Sequence, residues 1–176
     1  LCVPRPNGSG IDSINISNYC FLDNHELIIN DGVIHRVRYI GRNSQDVNLP
    51  LHLRLCDELL WIMGLWIAEG TYDNCLKFHL CIDEYHLYER ISDYFAQFGI
   101  TTSTHPRNSE SEKTPRDALD VTVNSVFFGR LFVSLFGKYF DQKKIPNDWL
   151  FNLTRKQSSC LLDGLYDGDA KIGHDQ

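Results

Sequence analysis

The sequence predicts an α+β unit, an antiparallel sheet with helices on one face, and three observations carry that prediction. Apolar residues switch repeatedly between a spacing of two and a helical spacing from Asp57 onward. Two strand-like arms are joined by a charged loop, as in a hairpin. A short helix-ending motif also occurs twice, 100 residues apart.

Residues 11–56 read as a strand-rich lead-in without a large core of its own: "HELII" at 25–29 and "VIHRVRYI" at 33–40 flank an Asp31-Gly32 turn. A helix begins at Asp57, acidic at its start as the dipole favours, and runs through "IMGLWIAEG" to Gly70. It is apolar on all sides and should be buried. In Cys75–Ile82, Leu76, Phe78, Leu80 and Ile82 face the core, while Lys77 and His79 face outward. Leu87, Tyr88, Ile91, Phe95 and Phe98 mark an amphipathic helix closed by a left-handed cap at Gly99. "ITTSTHPR" from Ile100 and "ALDVTV" from Ala118 form the hairpin arms, with Leu119, Val121 and Val123 inward and Asp120 and Thr122 outward. Ser125 caps a third helix through Phe127, Phe128, Leu131, Phe132 and Leu135 to Gly137. Thr154-Arg155-Lys156-Gln157 has the form of a capping box and announces a final helix.

Composition bounds the rest: 176 residues with 43% hydrophobic content can bury a core as one domain or slightly more. The longest apolar run, Leu59 to Ala68, falls short of the roughly 20 residues a membrane span needs, and no signal-peptide pattern follows Leu1. The expectation is a soluble intracellular protein, excised from something longer because it starts at Leu1 rather than Met. Six cysteines without a C-x-x-C pair read as reduced packing thiols. A net charge of −6 does not by itself predict nucleic acid. Its distribution is suggestive: Arg36, Arg38, Arg42 and Arg54 stand against Asp46 alone, and Arg130, Lys138, Lys143, Lys144, Arg155 and Lys156 against Asp141 and Asp148.

The repeated motif raises a physical problem. "GLWIAEG" at 64–70 and "GLYDGDA" at 164–170 match as Gly, Leu, aromatic, variable, small, acid, small. Both end a helix on a carboxylate, where the dipole disfavours negative charge by about 0.3–1 kcal/mol, so a compensating partner is expected. Gly64 and Ala68, like Gly164 and Gly168, lie four apart on one helix face and let two backbones approach. Parallel packing of the two helices brings Glu69, Asp169 and the last backbone carbonyls together as a cluster of hard oxygens suited to Mg2+.

On these residues the sequence resembles the LAGLIDADG (DOD-type) homing endonucleases, in particular those within inteins. "KKIP" at 143–146 is similar to the segment carrying that family's active-site lysine, which places the role on Lys143 ahead of Lys144. "LCVPRP" at 1–6 with "INIS" at 14–17 is similar to the point where an intein's splicing domain hands over to its nuclease. The implied organisation is the end of a splicing domain at 1–10, a lead-in at 11–56, a first endonuclease subdomain with the family's ββαββα half at 57–153, and the start of a truncated second subdomain at 154–176. The implied activity is site-specific, double-strand cleavage of DNA with Mg2+ or Mn2+, by a monomer with two pseudo-symmetric halves inside a host protein. Glu69 and Asp169, with the carbonyls of Ala68 and Gly168, would hold the metal, each acid serving one DNA strand, and Lys143 would supply positive charge or help deprotonate water. The sheet would lie over the major groove, where Lys77, His79, Thr101, Ser103, His105, Arg107 and Thr122 face the bases, with Lys144 as a further contact. Departures are Glu69 in place of Asp, Ile67 at a position that is usually acidic, and Ala170 in place of Gly. With six residues after Ala170, this piece alone is expected to cut poorly. The alternatives are a LAGLIDADG-like DNA-binding regulator or RNA-splicing maturase that does not cleave, and a structural unit whose small-residue helices only pack.

Overall fold

The computed structural model describes residues 8–18, 25–39, 44–107 and 118–169. The 1–10 segment up to residue 7, the whole charged loop 108–117, and Ala170 with the residues after it lie outside them.

The lead-in is made of β1 (Ser13–Asn15), β2 (His25–Asn30), β3 (Val33–Tyr39), β4 (Gln45–Pro50) and β5 (His52–Arg54). β1 pairs with β5, and β2-β3-β4 form an antiparallel meander. Asp31 (φ 50°) and Gly32 (φ 75°) both take left-handed backbone, the turn whose twist matches a two-residue hairpin. This segment does not hang free. The Asn48 N–H donates to the Phe98 carbonyl (3.1 Å), Gln45 donates to the Asn124 carbonyl (2.8 Å), and Ile34, Val37, Leu49 and Leu53 join the common core.

α1 (Asp57–Glu69) is buried over eight consecutive residues, Leu59 to Trp66, which is what a helix apolar on all sides requires. It passes directly into β6 (Gly70–Asp73), and a turn at Asn74 (φ 60°) leads into β7 (Cys75–Cys81). Leu76, Phe78 and Leu80 are buried as expected. Ile82 is not part of that face: it is 45% exposed and opens a 3-10 turn, because the Glu84 carboxylate accepts the Cys81 N–H (2.8 Å) and ends the strand. α2 (Tyr85–Ala96) buries Leu87, Ile91, Tyr94 and Phe95, and Gly99 closes it at φ 72°. β8 (Thr102–Arg107) and β9 (Ala118–Val123) complete a four-stranded antiparallel sheet in the order β6-β7-β9-β8.

The helices cover one face of that sheet. In α3 (Val126–Phe136) the buried Ser125 hydroxyl accepts the Phe128 N–H (3.3 Å), the expected cap. Phe95, Phe128, Phe132, Phe136, Trp66 and Trp149 form a chain of edge-to-face and tilted ring contacts beneath the sheet. Trp149 sits on the short α4 (Asn147–Asn152).

α5 (Arg155–Asp169) begins at the predicted capping box, with Gln157 N–H donating to Thr154 Oγ1 (3.2 Å) and Thr154 N–H to Gln157 Oε1 (3.1 Å). The Gln157 amide also donates to the Ile11 carbonyl (2.7 Å), which ties the lead-in to this helix. Cys160 on α5 is half-buried against the core, and among the described residues Cys56, Cys81 and Cys160 are free cysteines. No described helix is long and apolar enough to cross a membrane.

Candidate active site

The small residues of the repeated motif set the geometry. An ideal Cβ on Gly64 would lie 2.0 Å from the Leu161 carbonyl oxygen, and one on Gly164 would lie 1.9 Å from the Trp61 carbonyl oxygen. The two contacts are reciprocal across α1 and α5, so the helices run parallel with the 100-residue offset of the sequence repeat. Near the C-terminal ends an ideal Cβ on Gly168 would meet Ala68 Cβ at 2.6 Å and Glu69 Cγ at 3.2 Å. Gly64, Ala68, Gly164 and Gly168 are therefore all at the contact. A hydrogen bond that the sequence did not signal also clamps the pair: the Trp61 indole N–H donates to Asp167 Oδ2 (2.7 Å). Asp167 stands at the variable position of the motif, so nothing in the repeat singled it out.

This packing delivers Glu69 and Asp169 to one place. Glu69 is half-buried and Asp169 exposed. The Glu69 carboxyl is raised above its ordinary value, first by burial and then by the negative charge of Asp169. Excess negative charge at two carboxylates is the electrostatic condition that a divalent cation relieves.

Lys143 arrives from the segment between α3 and α4. Its Nζ donates to the carbonyls of Trp66 (2.7 Å), Ile67 (3.2 Å) and Gly70 (2.6 Å) and lies 4.6 Å from the Trp66 ring centroid. All three ammonium protons thus go to the end of α1, leaving the Ala68 carbonyl to other uses. Lys143 is the cation that the helix dipole called for at the end of α1. Burial pushes the Lys143 ammonium down to about 8, against the pull of Glu69. Lys144, beside it, is exposed.

Glu69, His79, Thr71, Lys138 and Lys143 line one open cleft of about 290 Å³. His79 is fixed at both ring nitrogens: Asp120 Oδ1 accepts from Nδ1 (2.7 Å), and Nε2 meets Thr71 Oγ1 (3.0 Å). A carboxylate can only accept, so Nδ1 carries the proton and a neutral ring takes the Thr71 hydroxyl proton at Nε2. His79 was expected as an outward contact to DNA bases, and the structure holds it between Asp120 and Thr71. Asp120 was legible as outward, but its partner depends on strand register.

The remaining outward candidates fall into rows. Thr71, Lys77, Thr122 and Ser103 are aligned across β6, β7, β9 and β8, and His79, Asp120 and His105 form the next row. Lys77 is paired with Asp73 (2.9 Å). Thr101 precedes β8 and instead closes the hairpin, accepting from the Asn124 backbone N–H (2.9 Å) and side-chain amide (3.1 Å). Arg107 belongs to the β8 row, and its side chain lies outside the described residues.

Among the described residues, several cations of the two basic segments are already paired. Arg36 is paired with Asp46, the Arg38 side chain and Arg42 lie outside the described residues, and Lys156 is paired with Asp57. Arg155 and Lys156 open α5, about 20 Å from its acidic end at 1.5 Å per residue, whereas Lys138 and Lys143 line the cleft. Among the described residues there is no cluster of three or more His, Cys, Asp or Glu side chains arranged as a metal cage. Mg2+ does not require one, since it is usually held by one or two carboxylates together with substrate phosphates. The donor set of Glu69, Asp169 and nearby carbonyls fits that pattern.

No family model matches the chain. Among curated proteins it is similar to the ATP-dependent DNA helicase Hel308 of Thermococcus kodakarensis, with 30% identity over 129 residues. The similarity takes in 70% of this chain and 11% of that protein, so the chain spans about a tenth of the relative's length.

Proposed function

We propose that this chain is the nuclease part of an intein-type homing endonuclease of the LAGLIDADG class, whose complete form makes metal-dependent double-strand breaks in a long DNA site. The observation that carries the reading is the parallel seating of the two repeated helices, which sets Glu69 and Asp169 side by side with Lys143 across the end of α1. The similarity to one stretch of a protein named as a DNA helicase supports DNA as the partner. This sequence contains no G-x-x-x-x-G-K-[ST] loop, so the shared stretch is something other than that nucleotide-binding motif.

Glu69 and Asp169, with the carbonyls of Ala68 and Gly168, would hold Mg2+ or Mn2+. A divalent ion there supplies positive charge to the scissile phosphate and makes water easier to deprotonate. The chain's own residues do the rest. Each acid would orient the water that attacks its own strand; Lys143, with its ammonium lowered to about 8, sits where it can take the one proton that water loses, and solvent water returns a proton to the leaving 3′-oxygen. Lys77, Ser103, Thr122 and His105 present donors and acceptors along the sheet face for base edges, and the exposed Lys144 would contact phosphate.

The test is to incubate the full-length protein with a plasmid carrying the host gene without the insert, in Mg2+ or EDTA, beside Glu69→Gln. Linearisation in Mg2+ that EDTA and Glu69→Gln abolish is expected. Tight binding with no metal-dependent linearisation would refute cleavage. It would favour the non-cleaving regulator or maturase, a reading that one observation supports: every proton of Lys143 is already committed to capping α1, a structural duty that needs no chemistry.

A further inference from the structure

The segment from Gly137 to Pro146 holds aromatic side chains out into solvent on a closed scaffold. Gly137 has φ 99°, and an ideal Cβ there would lie 2.5 Å from the Gln142 carbonyl oxygen, so the loop folds tightly back on itself. The N–H groups of Gln142 (2.8 Å) and Lys143 (3.0 Å) both donate to the Tyr139 carbonyl, and Lys144 N–H donates to Phe136 (2.8 Å). On this frame Phe140 is 90% exposed and Tyr139 is 56% exposed. Both line the cleft that contains Glu69 and Lys143. Lys138 Nζ lies 4.9 Å from the Tyr139 ring centroid and 5.6 Å from that of Tyr72.

We infer that Phe140 is a stacking wedge for duplex DNA, entering between two base pairs beside the phosphate bound in the cleft. The inference rests on the DNA reading given above and adds a contact to it. An apolar ring on a loop that also carries Lys138, which lines the cleft, and the exposed Lys144, with Asp141 as the one acid in the loop, is matched to a partner that offers anionic and aromatic surface together. A protein partner offers no such regular alternation of charge and rings. The rigid turn matters because a wedge that must first be ordered loses part of its binding energy to that ordering. Tyr139, oriented by Lys138, provides the neighbouring stacking surface. The wedge favours a step that unstacks easily, such as a pyrimidine–purine step, and so adds sequence preference without a hydrogen bond to a base.

The experiment uses the full-length protein to select binding duplexes from a library with a randomised core. 2-aminopurine is then placed in turn at each step of the selected site, and its fluorescence is followed on binding. The wild type should raise the signal at one step. Phe140→Ala should abolish that rise and weaken binding about tenfold, and Phe140→Trp should keep both. A signal at that step that survives Phe140→Ala, or no responsive step at all, overturns the wedge while leaving DNA binding intact. Failure to enrich any duplex overturns the DNA reading itself, and the wedge with it.

Discussion

Gly64→Ala measures how closely α1 and α5 must approach. The added Cβ would sit 2.0 Å from the Leu161 carbonyl oxygen and ordinary contact begins at 3.4 Å, so the helices must separate by about 1.4 Å locally. The obstacle is backbone, which cannot swing aside as a flexible side chain would. Overpacking of this kind costs about 1–3 kcal/mol or more, while Ala in a helix recovers about 1 kcal/mol relative to Gly. With a backbone obstacle the cost falls at the upper end, about 3 kcal/mol, and the net loss of about 2 kcal/mol lowers Tm by roughly 4–8 °C in a domain of this size. Far-UV circular dichroism melts, with Ser134→Ala at an exposed position of α3 as a control, provide the measurement. Separation of the helices should also let the Glu69 carboxyl fall back toward its ordinary value, which NMR titration reads directly. Gly164→Ala should behave alike, and the double variant should cost less than the two losses combined, because the first already opens the interface. A Gly64→Ala variant as stable as the wild type, or more so, would refute the close parallel packing and the pairing of acids built on it.

Glu69→Gln should raise Tm near neutral pH by about 1–3 °C. A carboxyl raised in the folded state binds protons better there than in the unfolded chain, so its stabilising effect is present below the ordinary value of 4.5 and lost as pH rises through the folded value. The gain from Gln should accordingly shrink in acid. Lys143→Met leaves three carbonyls at the end of α1 without their donor and should cost about 1–2 kcal/mol, read by urea unfolding. The same variant tests a linkage: with the ammonium lowered from 10.5 to about 8 on folding, the unfolded chain binds more protons between those values, so stability should climb with pH across that window in the wild type and stay flat in Lys143→Met. Ser125→Ala removes the cap of α3 and should lower stability by about 1 kcal/mol in the same assay.

How far the sequence could be read follows from the range of each interaction. Periodicity is local, so the α+β class, α1, β7, α2, the β8–β9 hairpin and the caps at Ser125 and Thr154 were legible from residues a few positions apart. The repeat was legible too, and with it the small-residue faces and the two helix-end acids. Ile82 was misread because alternation says where side chains alternate and not where a strand stops; the Glu84 carboxylate decides that.

What only the tertiary structure decided are contacts between residues far apart in sequence. Asp167 with Trp61, Asp120 with His79, and Lys143 with the last carbonyls of α1 each join elements whose juxtaposition no local pattern encodes. The basic segments show the same limit in reverse, since Lys143 lines the cleft while Lys156, thirteen residues on, pairs with Asp57 at the start of α1. The sequence by itself determined that two helices end in acids against the preference of their dipoles. The fold determined what answers that charge, because only packing can bring a lysine from 74 positions away to a helix terminus and bury it there.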